Sequence, residues 1–167
     1  GGNTANNVLY GLAGSDTLDG KEGADTMYGG EGNDYYKVDN LGDRVIDVPN
    51  TSGDYSSNFD TVNSTVSFTL PTYVENLYLD GTSNINATGN GDANGIYGNS
   101  GNNVINGKGG YDWLTGGAGS DTFVFDTKKS DPYMMFDSDG INDFNASQDK
   151  IALDDAIFTG ILKTSAS

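Results

Sequence analysis

Two hydrophobic rhythms run through this chain. Around residues 18–36 and again around 105–123, single apolar positions recur every nine residues: Leu18, Met27 and Tyr36, then Ile105, Leu114 and Phe123. Between these arrays, Val62, Val66, Phe68 and Leu70 alternate with Thr61, Asn63, Thr65, Ser67 and Thr69. That period of two predicts one half-buried strand across 61–70. Pro71 interrupts it, Leu77 and Leu79 resume the alternation, and Gly81 turns the chain. Ala87 and Ile96 then carry the nine-residue step into the second array. Polar positions keep the same step. Gly11, Gly20 and Gly29 are nine apart, as are Gly14, Gly23 and Gly32, and then Asp16, Asp25 and Asp34. The second array repeats this with Gly98, Gly107 and Gly116; Gly101, Gly110 and Gly119; and Asn103, Asp112 and Asp121.

Four residue types holding one period predict a single structural unit stacked on copies of itself. The unit reads G-x-x-G-x-D-x-U-x, where U is apolar. Three residues after each Asp, such as Thr17-Leu18-Asp19, suffice for a very short strand whose middle side chain points inward. Each nonapeptide is then half a coil, and loops eighteen residues apart stack at roughly 4.8 Å. The predicted fold is all-β: a right-handed parallel β-roll or β-solenoid, forming one continuous elongated domain. Residues 1–48 form its first array, 49–80 a spacer of wider coils, 81–125 its second array, and 126–167 a C-terminal cap with a tail. A solenoid needs covered ends, and Phe123, Phe125, Ile141, Phe144, Ile151 and Leu153 are the expected cover.

Charge adds a constraint. Stacking sets Asp16 over Asp34 and Asp25 over Asp43. Two carboxylates at ~5 Å repel by roughly 3 kcal/mol at an effective dielectric near 20. A divalent cation between them reverses the sign. Calcium suits such a place because it accepts six to eight hard oxygens, backbone carbonyls included. With no His and no Cys in the chain, metals that favour nitrogen or sulfur are unsuited. Asp outnumbers Glu 21 to 3 and the formal charge is −16, so the metal-free chain is expected to resist compaction.

The two arrays resemble the RTX family (repeats in toxin, or haemolysin-type calcium-binding repeats) of secreted bacterial proteins. The stretch "GNSGNNVINGKGGYDWLTGGAGSDTFVF" carries the likeness most fully. Residues 59–90 are similar to a spacer between RTX blocks, and "DGINDFNASQDKIALDDAIF" to the segment that follows the last repeat. The resemblance implies calcium held between loops eighteen residues apart. The first loop gives carbonyls of its second and fourth residues plus its Asp; the second gives carbonyls of its first and third residues plus its Asp. Carried over, one site takes Leu12, Gly14 and Asp16 with Gly29, Glu31 and Asp34. A second takes Lys21, Gly23 and Asp25 with Val38, Asn40 and Asp43. A third takes Asn3, Ala5 and Asn7 with Gly20, Glu22 and Asp25. In the second array Asn90, Asp92 and Asn94 face Gly107, Gly109 and Asp112, while Asn99, Gly101 and Asn103 face Gly116, Ala118 and Asp121. Neutral Asn7, Asn94 and Asn103 are expected to weaken their sites, and Leu41, standing where a loop glycine belongs, to strain the Asp25/Asp43 site. "DSDG" at 137–140 lacks the Glu that an EF-hand needs at its twelfth position, so Asp139 is read as a loop ligand closing the last coil. Asp131-Pro132 is read as a plain turn.

The resemblance further implies export from a Gram-negative bacterium through type I secretion machinery, with folding outside the cell. About five Ca2+ would bring the formal charge to about −6 and supply folding free energy. No stretch reads as a signal peptide or a membrane span. The chain starts in mid-pattern, so it is read as a piece of a larger protein whose upstream domain is its intramolecular partner. Catalysis within these residues is not expected: without His the usual general base is missing, and the periodic carboxylates are assigned to calcium. Nucleic acid is disfavoured by the charge and by a single Arg44. A second reading is a carbohydrate- or surface-binding accessory module, like those of alginate epimerases or adhesins. It rests on Tyr10 and Tyr28, placed to stack eighteen residues apart, and on Tyr97, Tyr111 and Trp113. Aromatic ladders of this kind also serve simply to stabilise sheets.

Overall fold

A computed structural model describes residues 1–49, 59–127, 138–154 and 157. Asp131-Pro132 and Asp137 lie outside them. The described residues form short parallel strands and no helix. In chain order these are β1 (Val8–Ala13), β2 (Thr17–Asp19), β3 (Thr26–Glu31), β4 (Tyr35–Val38), β5 (Arg44–Ile46), β6 (Thr61–Ser64), β7 (Phe68–Thr69) and β8 (Asn76–Leu79). There follow β9 (Ala87–Thr88), β10 (Gly95–Tyr97), β11 (Val104–Asn106), β12 (Trp113–Thr115), β13 (Thr122–Phe125), β14 (Gly140–Ile141) and β15 (Lys150–Leu153).

Successive strands fall on alternate sides of a flattened coil. The even-numbered strands form one seven-stranded sheet, β14-β12-β10-β8-β6-β4-β2. The odd-numbered strands form two sheets, β1-β3-β5 and β15-β13-β11-β9-β7. This is the expected parallel β-solenoid, and its core follows from the register. Leu18 lies beside Tyr36, Tyr36 beside Val62, Val62 beside Leu77, Leu77 beside Ile96, Ile96 beside Leu114 and Leu114 beside Ile141. Facing this row are Leu9, Met27 and Val45 in one sheet and Phe68, Ala87, Ile105 and Phe123 in the other; Ile151, paired with Phe123 and expected as part of the cover, is half exposed. Met27, Tyr36, Val62, Leu77, Ala87, Ile96, Ile105, Leu114 and Phe123 are fully buried. Three-residue strands turn one side chain into the narrow interior, and the four-residue strands β4 and β8 turn in two, Tyr36 with Val38 and Leu77 with Leu79, because neighbouring side chains alternate across the strand.

The spacer differs from expectation in one respect. Residues 61–70 are two strands on opposite sides of the coil, not one. Ser64 turns inward at the corner, its hydroxyl donating to the Val66 carbonyl at 2.8 Å and accepting the Val66 N–H at 3.2 Å. Such a hydroxyl turn breaks a strand cheaply, and alternation on either side of it looks continuous in the sequence. At the C-terminal end, β14 pairs with β12 and β15 with β13, so residues 140–153 add a further coil. Phe144 tilts toward Phe123 at 6.2 Å between ring centroids. Outside the coil, Tyr10 stacks on Tyr28 at 4.9 Å and Tyr78 on Tyr97 at 4.4 Å. Both are cross-strand ladders between paired strands, a stabilising arrangement in its own right.

Candidate metal centre

The turns between strands build two columns of loops, one along each edge of the solenoid. Their conformation is set by backbone regions that glycine enters at little cost. Gly14, Gly23, Gly32, Gly110 and Gly119 all have φ between 102° and 127°. The second loop position is also left-handed, with glycine at Gly30 and Gly117 but side chains at Leu12, Lys21 and Lys108. Those three carry strain of about 1–2 kcal/mol each. The strain foreseen at Leu41 is not there, since Leu41 is not among the residues with positive φ. Its loop relaxes into a turn in which Asp43 N–H donates to the Asn40 carbonyl at 3.0 Å.

Loops one coil apart lie in close register. A Cβ on Gly30 would meet the Leu12 carbonyl, one on Gly32 the Gly14 carbonyl and one on Gly23 the Ala5 carbonyl. In the second array Gly110 faces the Asp92 carbonyl, Gly117 that of Asn99, and Gly119 that of Gly101. From the other direction, the Gly29, Gly107 and Gly116 carbonyls face Gly11, Gly89 and Gly98. The structure therefore brings many of the expected carbonyl donors against the neighbouring loop. Four others are hydrogen-bonded: Glu31 O accepts Gly14 N–H at 2.7 Å, Asn90 O accepts Gly109 N–H at 3.2 Å, and Val38 O and Asn40 O accept Thr65 and Asp43 N–H, both at 3.0 Å. Lys21 and Val38 border a cleft on the sheet side together with Asp19, Lys37 and Asp39.

The carboxylates form a ladder of a kind the sequence alone does not reveal. In each rung one Asp oxygen accepts the backbone N–H of the equivalent residue one coil earlier. Asp25 Oδ1 takes Asn7 N–H at 2.6 Å, Asp34 takes Asp16 at 2.8 Å, and Asp43 takes Asp25 at 2.9 Å. Asp112 takes Asn94 at 2.9 Å and Asp121 takes Asn103 at 2.8 Å. The ladder continues through residues that lie off the eighteen-residue step. Asp60 accepts Asp34 N–H, Glu75 accepts Asp60 N–H, Asp139 accepts Asp112 N–H and Asp149 accepts Asp121 N–H. Asp139, expected as a ligand of the last coil, thus stands one rung beyond Asp112. Asp60, Glu75 and Asp149 follow their rung neighbours at intervals of 26, 15 and 28 residues, so the eighteen-residue period does not reveal them. Their local signature was available: Asp60-Thr61-Val62, Glu75-Asn76-Leu77 and Asp149-Lys150-Ile151 repeat the acid-x-apolar order of Asp34-Tyr35-Tyr36.

The second carboxylate oxygens test whether calcium fits. Asp25 Oδ2, Asp34 Oδ2 and Asp121 Oδ2 are buried without a hydrogen-bond partner. Each lies against the Cα of the glycine that opens its loop, Gly20, Gly29 and Gly116. A buried unpaired carboxylate oxygen is costly, and burial pushes the Asp34 and Asp121 carboxyls above their usual range. A hard cation would relieve that cost, so the donor set fits calcium. Asp43 differs: its Oδ2 accepts Asp39 and Asn40 N–H, both at 3.1 Å. The asparagines solve the same problem with amide hydrogens. Asn90 Nδ2 donates to the Pro71 and Val74 carbonyls, Asn99 Nδ2 to those of Asp80 and Ser83, and Asn103 Nδ2 to that of Ile85 at 2.6 Å. On the spacer side of the second array, side-chain amides thus tie together carbonyls of the preceding coil.

No curated protein matches the chain. The family model of the RTX calcium-binding nonapeptide repeat (4 copies) matches residues 1–36 and 88–127. Those stretches cover most of the two loop arrays, and their repeats are of the kind that binds Ca2+. With in-register glycine turns, parallel strands and carboxylate rungs all in place, the chain carries an RTX-type calcium-binding repeat region folded as a β-roll.

Proposed function

We propose that this region is a calcium-triggered folding module of an exported protein, loose where calcium is scarce and folded where it is plentiful. The observation that carries this reading is the set of buried, unpartnered carboxylate oxygens on Asp25, Asp34 and Asp121. The proposed ions, about five, sit between the loop pairs named from the sequence. Asp16, Asp25, Asp34, Asp112 and Asp121 supply charge, and the stacked carbonyls, among them those of Leu12, Gly14, Gly29, Gly101 and Gly116, complete the shells. When bound, each Ca2+ supplies charge compensation and cross-links two coils; the chain itself supplies pre-formed turns and an in-register core. Strands this short bury little apolar surface each, so binding energy becomes folding energy. RTX repeat proteins are typically secreted by type I systems of Gram-negative bacteria, where such a switch lets a chain leave unfolded and fold outside. The work assigned to these residues is structural, with no catalytic step.

A calcium titration followed by far-ultraviolet circular dichroism tests this. Extracellular modules bind at about 10⁻⁴–10⁻³ M, so the sheet signal is expected to rise steeply there and to be absent at micromolar calcium. A spectrum indifferent to calcium over that range would overturn the proposal.

A further inference from the structure

One acidic cluster joins Asp34, a member of a nonapeptide pair, to two carboxylates that lie outside every such pair, Asp47 and Asp60. We propose that Asp34, Asp47 and Asp60 hold a divalent cation of their own, bound by side-chain carboxylates where the first array passes into the spacer. One oxygen from each of the three lies within 4.8 Å of the others. Two oxygens bound to one Ca2+ at about 2.4 Å lie at most ~4.8 Å apart, so the three can share an ion. Asp34 is 2% exposed, Asp60 0% and Asp47 9%.

The second observation is Asp34 Oδ2, buried with no hydrogen-bond partner. It borders the space above Gly29 next to the Tyr36 hydroxyl. That hydroxyl donates to Asp47 Oδ2 at 2.7 Å, so the orphaned oxygen faces the same pocket as Asp47. The remaining contacts fix the three carboxylates. Asp34 Oδ1 accepts Asp16 N–H, Asp47 Oδ1 accepts Val48 N–H at 2.8 Å and Gly30 N–H at 3.3 Å, and Asp60 Oδ1 accepts Asp34 N–H at 2.7 Å. Asp47 and Asp60 also hydrogen-bond each other through their side chains, while Asp34 Oδ2 keeps its acceptor positions open.

The local field points the same way. Burial pushes the Asp60 carboxyl up to about 7, and the charges of Asp47, Glu75 and Asp34 add to that rise. Burial and the Asp47 charge likewise raise Asp34. The pocket is short of positive charge, and its donors are all oxygen. Asp47 follows directly on β5 and Asp60 directly precedes β6, so an ion here pins the end of one sheet to the entry of the next. Asp34 then stands between two ions, one shared with Asp16 and one with Asp47 and Asp60.

This site rests on the reading of the chain as a calcium-folded module, and the test separates the two. Native mass spectrometry of the chain in saturating calcium at pH 7.5 counts bound ions in the wild type and in Asp47→Asn. The expected result is one ion fewer in Asp47→Asn, with the rest retained. An unchanged count would overturn this site alone, leaving a cluster held by shared protons; a wild type that binds no calcium would overturn both readings. Should Asp47→Asn fail to regain the sheet spectrum, Tyr36→Phe decides through terbium luminescence sensitised by tyrosine. Loss of a discrete part of the emission is expected from removing the ring beside the ion, and emission equal to the wild type would overturn the site.

Discussion

Asp121→Asn is expected to move the chain in opposite directions with and without calcium. Asp121 is 1% exposed, and its Oδ1 accepts Asn103 N–H at 2.8 Å while Oδ2 has no partner. Asparagine keeps the first contact and removes the buried charge. One coil earlier the chain already uses this solution, with Asn103 Nδ2 donating to the Ile85 carbonyl. The metal-free variant should therefore hold more sheet than the metal-free wild type. In calcium the order reverses, because a charged ligand has become neutral; the midpoint should rise roughly tenfold, since ligand charge tunes affinity. The pH dependence has a definite sign. Burial, with added repulsion from Asp149 and Asp143, raises the Asp121 carboxyl. A raised acid penalises the folded chain only where it is ionised, so the metal-free difference is expected at pH 7 and should vanish below the ordinary carboxylate range near 4. Circular dichroism of both proteins in EDTA and across a calcium series checks this. A variant less folded than wild type in EDTA at pH 7 would contradict it.

Gly32→Ala and Gly14→Ala should differ in cost although both glycines occupy the same loop position. Gly14 has φ of 102° with nothing within 4 Å of an added Cβ. Gly32 has φ of 127°, and its added Cβ would strike the Gly14 carbonyl and its carbon. Backbone strain alone is about 1–2 kcal/mol for a non-glycine residue in a left-handed region. The collision at Gly32 is with main chain, so relief means separating two coils and dislodging carbonyls from the Asp16/Asp34 rung. Overpacking of that kind adds roughly 1–3 kcal/mol. Thermal unfolding in saturating calcium should therefore show a small loss for Gly14→Ala and a loss about twice as large or more for Gly32→Ala. Equal losses would mean that coil-on-coil contact does not constrain the loop.

Where the repeat is strict, the fold was legible. Leu18, Met27, Tyr36, Ile105, Leu114 and Phe123 all enter the core, because a nine-residue step on a two-sided coil returns the same position to the interior each time. Legibility failed where coil length changes. Ser64 conceals a corner inside an apparently continuous alternation, and Asp60 and Asp149 keep their place in the ladder through long steps that no fixed period finds. The local order of acid, any residue and apolar residue survives insertion because the rung and the inward side chain are two residues apart on one short strand. Loop length between rungs is free to vary. Asp47 had no such signature: it follows β5 outside any rung, and only the fold carries it to Asp34 and Asp60.

The most direct measurement is small-angle X-ray scattering with far-ultraviolet circular dichroism on one sample, first in millimolar calcium and then after exhaustive chelation with EDTA at pH 7. Charge repulsion among stacked carboxylates predicts an expanded chain without its sheet signal in EDTA and full recovery when calcium returns. A compact radius and an undiminished sheet spectrum in EDTA would contradict the account.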